Sequence, residues 1–322
     1  MSEILASITT KLTENPKEAA AYIRSGGVVA FPTETVYGLG GSVFDEQAVQ
    51  SIFKAKARPA DNPLIAHISR IEQIHELAVS IPHAAQQLID AFFPGPLTII
   101  FKRKPEVPPI VSAGLDTIAI RMPALPEATE FIDLCGVPVA APSANRSGRP
   151  SPTSWQDVYT DLKGRIPCIL KGGLSKVGIE STVIDCSDDR PRLLRAGGIS
   201  LEALQDVAPA IELAHLPKDG VARSPGMKYR HYAPAAQVHL AEDAAEVPVQ
   251  AECAYIGMTT HPLPEQLGLH LSCQTTEEYA HELFRFFRRC DRAGIQHIYC
   301  ESLEKTGLGL ALMDRIEKAV AG

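Results

Sequence analysis

Apolar and polar positions alternate along this chain in two rhythms, one of about 3.6 residues and one of two, and glycines and prolines mark most of the changes between them. Residues 16–26 read as a helix, with Pro16 suited to a first turn and Gly26-Gly27 to a C-terminal cap, and a strand at 28–31 follows at once. Helical patterns at 45–54, 71–77, 83–92 and 127–134 are interleaved with apolar runs at 64–68, 97–101, 117–121, 137–141, 168–171, 181–185 and 192–195 that read as strands. This predicts a mixed α/β domain, with strand order left open. Proline-rich breaks at 93–96 and 142–152 place long loops among the strands.

From 198 to about 234 the pattern weakens, and residues 221–234 combine Arg223, Lys228, Arg230, His231 and two tyrosines with no acidic residue. That stretch reads as an interdomain linker able to act as a lid, its cations and rings suited to phosphates and a base. Strands at 237–240, 253–258 and 295–300, with helices at 276–293 and 308–320, then predict a smaller Rossmann-like parallel sheet. No GxGxxG follows these strands, so a dinucleotide site there is not supported. The resulting division is 1–200, a linker at 201–235, and 236–322.

The composition, 45% hydrophobic and 21% charged over 322 residues, fits a folded globular protein of about two domains. The polar start and the lack of a long apolar run predict a cytoplasmic protein without a membrane span. Seven cysteines without a CxxC pair suggest neither a disulfide framework nor a thiolate metal site. The net charge of −7 argues against a general nucleic-acid coat, yet it is unevenly spread. Residues 1–200 hold 20 Lys and Arg against 21 Asp and Glu, leaving 11 against 17 for the rest, so the first half can still present a cationic pocket.

Four strand-to-loop junctions carry candidate chemistry. Lys54, Lys56 and Arg58 run off a helix end into a proline-bounded loop, where mutual repulsion favours an anion such as a triphosphate; a solvated basic helix end has the same pattern. Ser143, Ala144 and Asn145 follow a strand with hydroxyl, amide and backbone donors, although a plain turn uses the same residues. Residues 31–40 pass from a strand into a loop of hydroxyls and glycines that also reads as a turn with Thr33 and Thr35 as local caps, and residues 178–185 read as a glycine and a polar pair before a strand or as an edge strand.

The ordered segments PTETVYGLG, KARPADNPL, PGPLT, APSANRSGRPSPT, GIESTVID, LLRAGGIS and SPGMKYRHYAP resemble the YrdC-like threonylcarbamoyl-AMP synthases of the two-domain kind. The resemblance implies a YrdC-like twisted mixed sheet with a Rossmann-like α/β domain behind it. It implies a KxR and SxN catalytic set on Lys56, Arg58, Ser143 and Asn145, with Ala57 where the family often has glycine, a departure expected to be harmless. It places ATP against Arg58, Asn62, Thr117, Ser143, Ser151, Arg195 and Tyr232 or its neighbour His231. Threonine would lie among Thr35, His67, Arg121, Ala141 and Ser181, with Arg121 pairing with its carboxylate. The implied reaction joins L-threonine and bicarbonate, then couples the product to ATP with Mg²⁺ on the triphosphate and no protein metal site. The product would pass to a downstream threonylcarbamoyl transferase that modifies tRNA. Competing readings are a double-stranded RNA or tRNA-binding module, with weak tRNA binding also compatible with the enzyme, and a carbamoyl-transfer enzyme of hydrogenase maturation.

Overall fold

The computed structural model describes residues 8–214, 232–259 and 263–321, which form two sheets. The first part begins with β1 (Lys11–Thr13), α1 (Pro16–Arg24), β2 (Val29–Phe31), β3 (Gly38–Ser42), α2 (Glu46–Lys56), β4 (Ile65–His67) and α3 (Ile74–Leu77). Next come α4 (His83–Phe92), β5 (Leu97–Lys102), β6 (Thr117–Arg121), α5 (Pro126–Cys135), β7 (Val139–Ala141) and α6 (Trp155–Leu162). It closes with β8 (Cys168–Leu170), β9 (Thr182–Asp185), β10 (Arg192–Arg195), α7 (Leu201–Val207) and β11 (Glu212–Leu213). Hydrogen bonds join these strands in the order β1-β8-β2-β3-β7-β4-β6-β5-β9-β10-β11, with parallel and antiparallel pairs mixed. The fold class is the mixed α/β sheet that the rhythm of the sequence predicts.

Side chains alternate between two buried layers because successive strand residues point to opposite faces. On one face, α1 and α5 pack Ala19, Ile23, Phe131 and Ile132 onto Phe31, Val139 and Leu170. On the other, Val49, Ile52, Leu88 and Val158 from α2, α4 and α6 meet Ala30, Leu39, Ala66 and Ile120. Helix starts follow local chemistry: Asn15 accepts from the Lys17 and Glu18 amides, and Asp45 from those of Gln47 and Ala48.

Two departures from the sequence reading have clear causes. Gly38-Leu39-Gly40 reads as loop, yet β3 lies inside the sheet, pairing with β2 and β7. A Cβ on Gly40 would lie 2.4 Å from the Val139 side chain and 2.9 Å from Phe31, so glycine here permits strand packing where propensity disfavours a strand. The linker expected from residue 201 starts instead as α7, capped by Ser200 and anchored in the core by Leu204, and β11 pairs with β10. Of the proposed lid, residues 215–231 lie outside the described residues.

The second part contains β12 (Gln237–Ala241), β13 (Cys253–Gly257), β14 (Leu269–Ser272), α8 (Thr276–Ala293), β15 (His297–Glu301) and α9 (Leu308–Val320). Its four strands are all parallel, in the order β12-β15-β13-β14. Leu283, Phe287, Leu312 and Ile316 of α8 and α9 cover Ala254, Ile256, Ile298 and Cys300. The same helices press on the first part: Arg288 pairs with Asp161 at 3.0 Å, and Arg292 with Asp157 at 3.0 Å. A Cβ on Gly178 would come within 2.4 Å of the His281 backbone, so glycine sets how closely α8 approaches. Among the described residues no helix is long and apolar enough to cross a membrane.

α2 is capped by Ala57, whose φ of 51° lies in the left-handed region where glycine is the favoured C-terminal cap. The alanine is therefore strained. Ala57→Gly is expected to stabilise the protein by about 0.5–1 kcal/mol, the relieved strain exceeding the added freedom of the unfolded chain. Urea denaturation checks this, and a less stable variant would contradict it.

Candidate active site

The loops after β2, β7 and α2 and the ends of β4, β6, β9 and β10 converge on one cleft. One end is built around Arg121, the last residue of β6, which register places beside His67 of β4. Arg121 is 3% exposed. Its guanidinium donates from Nη2 to Glu34 Oε1 at 2.6 Å, from Nη1 to Thr35 Oγ1 at 2.7 Å and from Nε to the Gly95 carbonyl at 3.2 Å. Burial pushes the Glu34 carboxyl up, but the Arg121 charge and hydrogen bond outweigh it and hold Glu34 below the usual carboxylate value. A guanidinium has more donors than these contacts use, so N–H groups remain for a ligand carboxylate.

His67 lines the same end, its ring edge-on to Phe31 at 5.7 Å. Burial, followed by the Arg121 charge, pushes its pKa down to about 3, so the imidazole is neutral near pH 7. A carbonyl can only accept, so Nδ1, 3.0 Å from the Ile65 oxygen, carries the proton. Ala141, opposite Ile65 in the sheet, adds a small apolar wall.

Ser181 sits between the two ends. Its hydroxyl is 2.8 Å from Thr98 Oγ1, and Arg195 donates to its carbonyl at 3.1 and 2.9 Å and to its hydroxyl at 3.2 Å. At the far end, Ser143 donates to Asn145 Oδ1 at 2.5 Å, while the Asn145 amide donates to the carbonyls of Arg146 and Arg149 at 2.9 and 2.8 Å. Arg58, Arg149, Ser151, Glu180 and Tyr232 also line the cleft. One wall thus carries a carboxylate-sized cationic fork, and the other carries guanidinium and hydroxyl groups suited to a nucleotide.

Residues 21–197 match the Sua5/YciO/YrdC family model, described as telomere recombination, and residues 199–321 match the model for a threonylcarbamoyl-AMP synthase C-terminal domain. The chain belongs to the Sua5/YciO/YrdC family. It is 45% identical to the threonylcarbamoyl-AMP synthase of Pyrococcus abyssi, covering 94% of this chain and 92% of that one. Its identity to the Bacillus subtilis threonylcarbamoyl-AMP synthase is 42%, over 98% and 96% of the two chains. The crystal structure of P. abyssi Sua5 complexed with L-threonine superposes with a TM-score of 0.89 at 42% identity, covering 98% of this chain and 97% of that one. These matches run through both domains, so the chain is a two-domain Sua5-type enzyme.

Within this Sua5-type cleft, most residues singled out from the sequence come together: Arg58, Ser143, Asn145, Ser151, Arg195 and Tyr232 on one side, and Thr35, His67, Arg121, Ala141 and Ser181 on the other. Three do not line it. Thr117 lies at the start of β6, the strand end away from Arg121. Asn62 is fully buried, and neither side-chain amide atom has a hydrogen-bond partner. Lys56 departs furthest from expectation. It ends α2, is 2% exposed, and its Nζ donates to the Ser143 and Asn145 carbonyls at 2.5 Å each. Burial, and then the Arg58 charge, holds its pKa well below the ordinary lysine value. Lys56 therefore braces the Ser143–Asn145 turn from inside and does not reach into the cleft.

Glu34 and Glu180 stood inside the quoted motifs without an assigned role, although each neighbours a hydroxyl residue at a strand end. A buried site arginine needs such a carboxylate, and that requirement is the signal that would have found them. The bracing role predicts that Lys56→Ala lowers folding stability by about 1–3 kcal/mol, because buried carbonyls lose their donor. Equal urea midpoints for the variant and the parent protein would rule that role out.

Proposed function

We propose that this protein is a threonylcarbamoyl-AMP synthase. L-Threonine and bicarbonate condense to N-carboxythreonine with loss of water. Its carboxylate oxygen then forms a bond to the α-phosphorus of ATP as the bond to the departing pyrophosphate breaks. The observation that carries this reading is the single cleft with Arg121 and Thr35 at one end and Arg58, Ser143, Asn145 and Arg195 at the other. A displacement at phosphorus needs alignment and neutralisation of charge more than a protein nucleophile, and guanidinium groups at both ends supply these. Arg121 takes the threonine carboxylate. The neutral His67 flanks the amino acid without adding a charge that would repel its ammonium group. Arg58 and Arg195 face the nucleotide.

Mg²⁺ enters as part of the ATP substrate, held by phosphates and water as this ion commonly is. Among the described residues no group of three or more His, Cys, Asp or Glu is arranged as a metal site. All seven cysteines are buried free thiols, in keeping with work in a reducing cytoplasm. The adenylate would serve a threonylcarbamoyl transferase that modifies tRNA.

The test is pyrophosphate release by the pure protein with ATP, Mg²⁺, bicarbonate and L-threonine. Release should require both small substrates, and release indifferent to threonine would refute the assignment. Arg121→Ala should raise the KM for threonine by about 10- to 100-fold, the loss of one charge-assisted contact, while leaving that for ATP nearly unchanged. Equal effects on both substrates would contradict the placement of threonine at Arg121.

A further inference from the structure

The C-terminal domain sends one side chain to the edge of the cleft. Arg315, on the buried stripe of α9, is fully buried. Its Nε donates to Glu180 Oε2 at 2.8 Å, and its Nη2 donates to the Ala196 carbonyl at 3.0 Å, one residue after Arg195. The other Glu180 oxygen, Oε1, accepts from Ser151 Oγ at 2.5 Å. The Arg315 guanidinium also lies 5.4 Å from the centre of the Tyr232 ring, which stacks on Phe284 of α8 at 5.3 Å. A single arginine from the second domain thus touches the supports of three cleft residues, Ser151, Arg195 and Tyr232.

The direction of the Ser151 hydrogen bond has a chemical consequence. Burial pushes the Glu180 carboxyl up, but the Arg315 and Arg195 charges, with the bonds from Ser151 and Arg315, bring it below the usual carboxylate value. An ionised carboxylate can only accept, so Ser151 must give Glu180 its one proton. Toward the cleft, Ser151 then offers lone pairs alone. It repels a phosphate oxygen and suits a donor, which ATP offers at its ribose hydroxyls and its adenine amine, and deoxy analogues of ATP tell these apart.

We propose that Arg315 is a positioning residue for the nucleotide: by fixing Glu180 as the acceptor of the Ser151 proton, it makes Ser151 a receptor for a ribose hydroxyl. This deepens the proposed function and rests on ATP being a substrate. It also gives the C-terminal domain a part in the chemistry, because without α9 a buried Glu180 would lose its ion-pair partner and keep only the Arg195 charge nearby.

The experiment measures equilibrium binding of ATP, 2′-deoxy-ATP, 3′-deoxy-ATP and L-threonine to the full chain, alongside thermal midpoints. The unaltered protein should bind one deoxy analogue at least about tenfold more weakly than ATP, the loss of one hydrogen bond near a charged group. Arg315→Met should weaken ATP by a similar factor, cease to distinguish that analogue from ATP, and leave threonine affinity unchanged. Glu180→Gln is the second variant should Arg315→Met not fold. It keeps the shape, but its amide can donate to Ser151 and turn the hydroxyl proton toward the cleft, so it too should lose ribose discrimination while keeping threonine affinity. The proposal is overturned if the variants bind ATP and its deoxy forms as the parent does, or if ATP and threonine affinities fall together in step with the thermal midpoint, which is what a purely structural brace would give. It is also overturned if the parent ignores both deoxy substitutions. A parent that binds threonine but no ATP would refute the proposed function itself, a distinct result.

Discussion

Burying a guanidinium is costly unless its charge is paired and its donors are used, and this protein does so at three points around one cleft. Arg121, Arg195 and Arg315 are each less than a tenth exposed. Glu34 fixes Arg121, the Ser181 carbonyl and hydroxyl fix Arg195, and Glu180 fixes Arg315. Because each fork is held by the protein, the groups around it, Arg121 and Ser181 among them, line the cleft in set positions. Positioning of this kind is what the proposed reaction, which uses no protein nucleophile, requires.

The rest of the fold can be understood as support for those points. β4, β6 and β7 bring His67, Arg121 and Ala141 to one end because their register is fixed by cores on both faces of the sheet. Gly40 lets β3 lie against the Val139 and Phe31 side chains, and Lys56 ties the turn after β7 to the end of α2. The second domain contributes through Arg288, which pairs with Asp161 and donates to the Pro150 carbonyl beside Ser151, and through Arg315. The domains therefore share the site and are more than neighbours on one chain.

Much of this was legible before any coordinates. The apolar runs at 97–101 and 117–121 correspond to β5 and β6, and the long amphipathic pattern at 276–293 is α8, because strong periodicity reports burial directly. The loop motifs also identified residues that are far apart in sequence yet gather around one cleft. What the sequence hid was context-dependent. β3 is glycine-rich and goes against strand propensity, so only the approach of Val139 explains it. Lys56 and Arg58 stand two residues apart with the same charge, but the left-handed turn at Ala57 separates a buried brace from a cleft residue. Arg315 occupied an apolar position of a terminal helix, flanked by Leu312 and Ile316, and that misplaced charge was its only trace.

The central claim is that one cleft holds an amino-acid carboxylate on Arg121 and a triphosphate toward Arg58. A crystal structure of the protein with L-threonine and a non-hydrolysable ATP analogue tests it most directly. The account predicts the threonine carboxylate within hydrogen-bond distance of Arg121 and Thr35, and the ribose rather than a phosphate against Ser151. Threonine bound away from Arg121, or phosphate oxygens seated on Ser151, would contradict it.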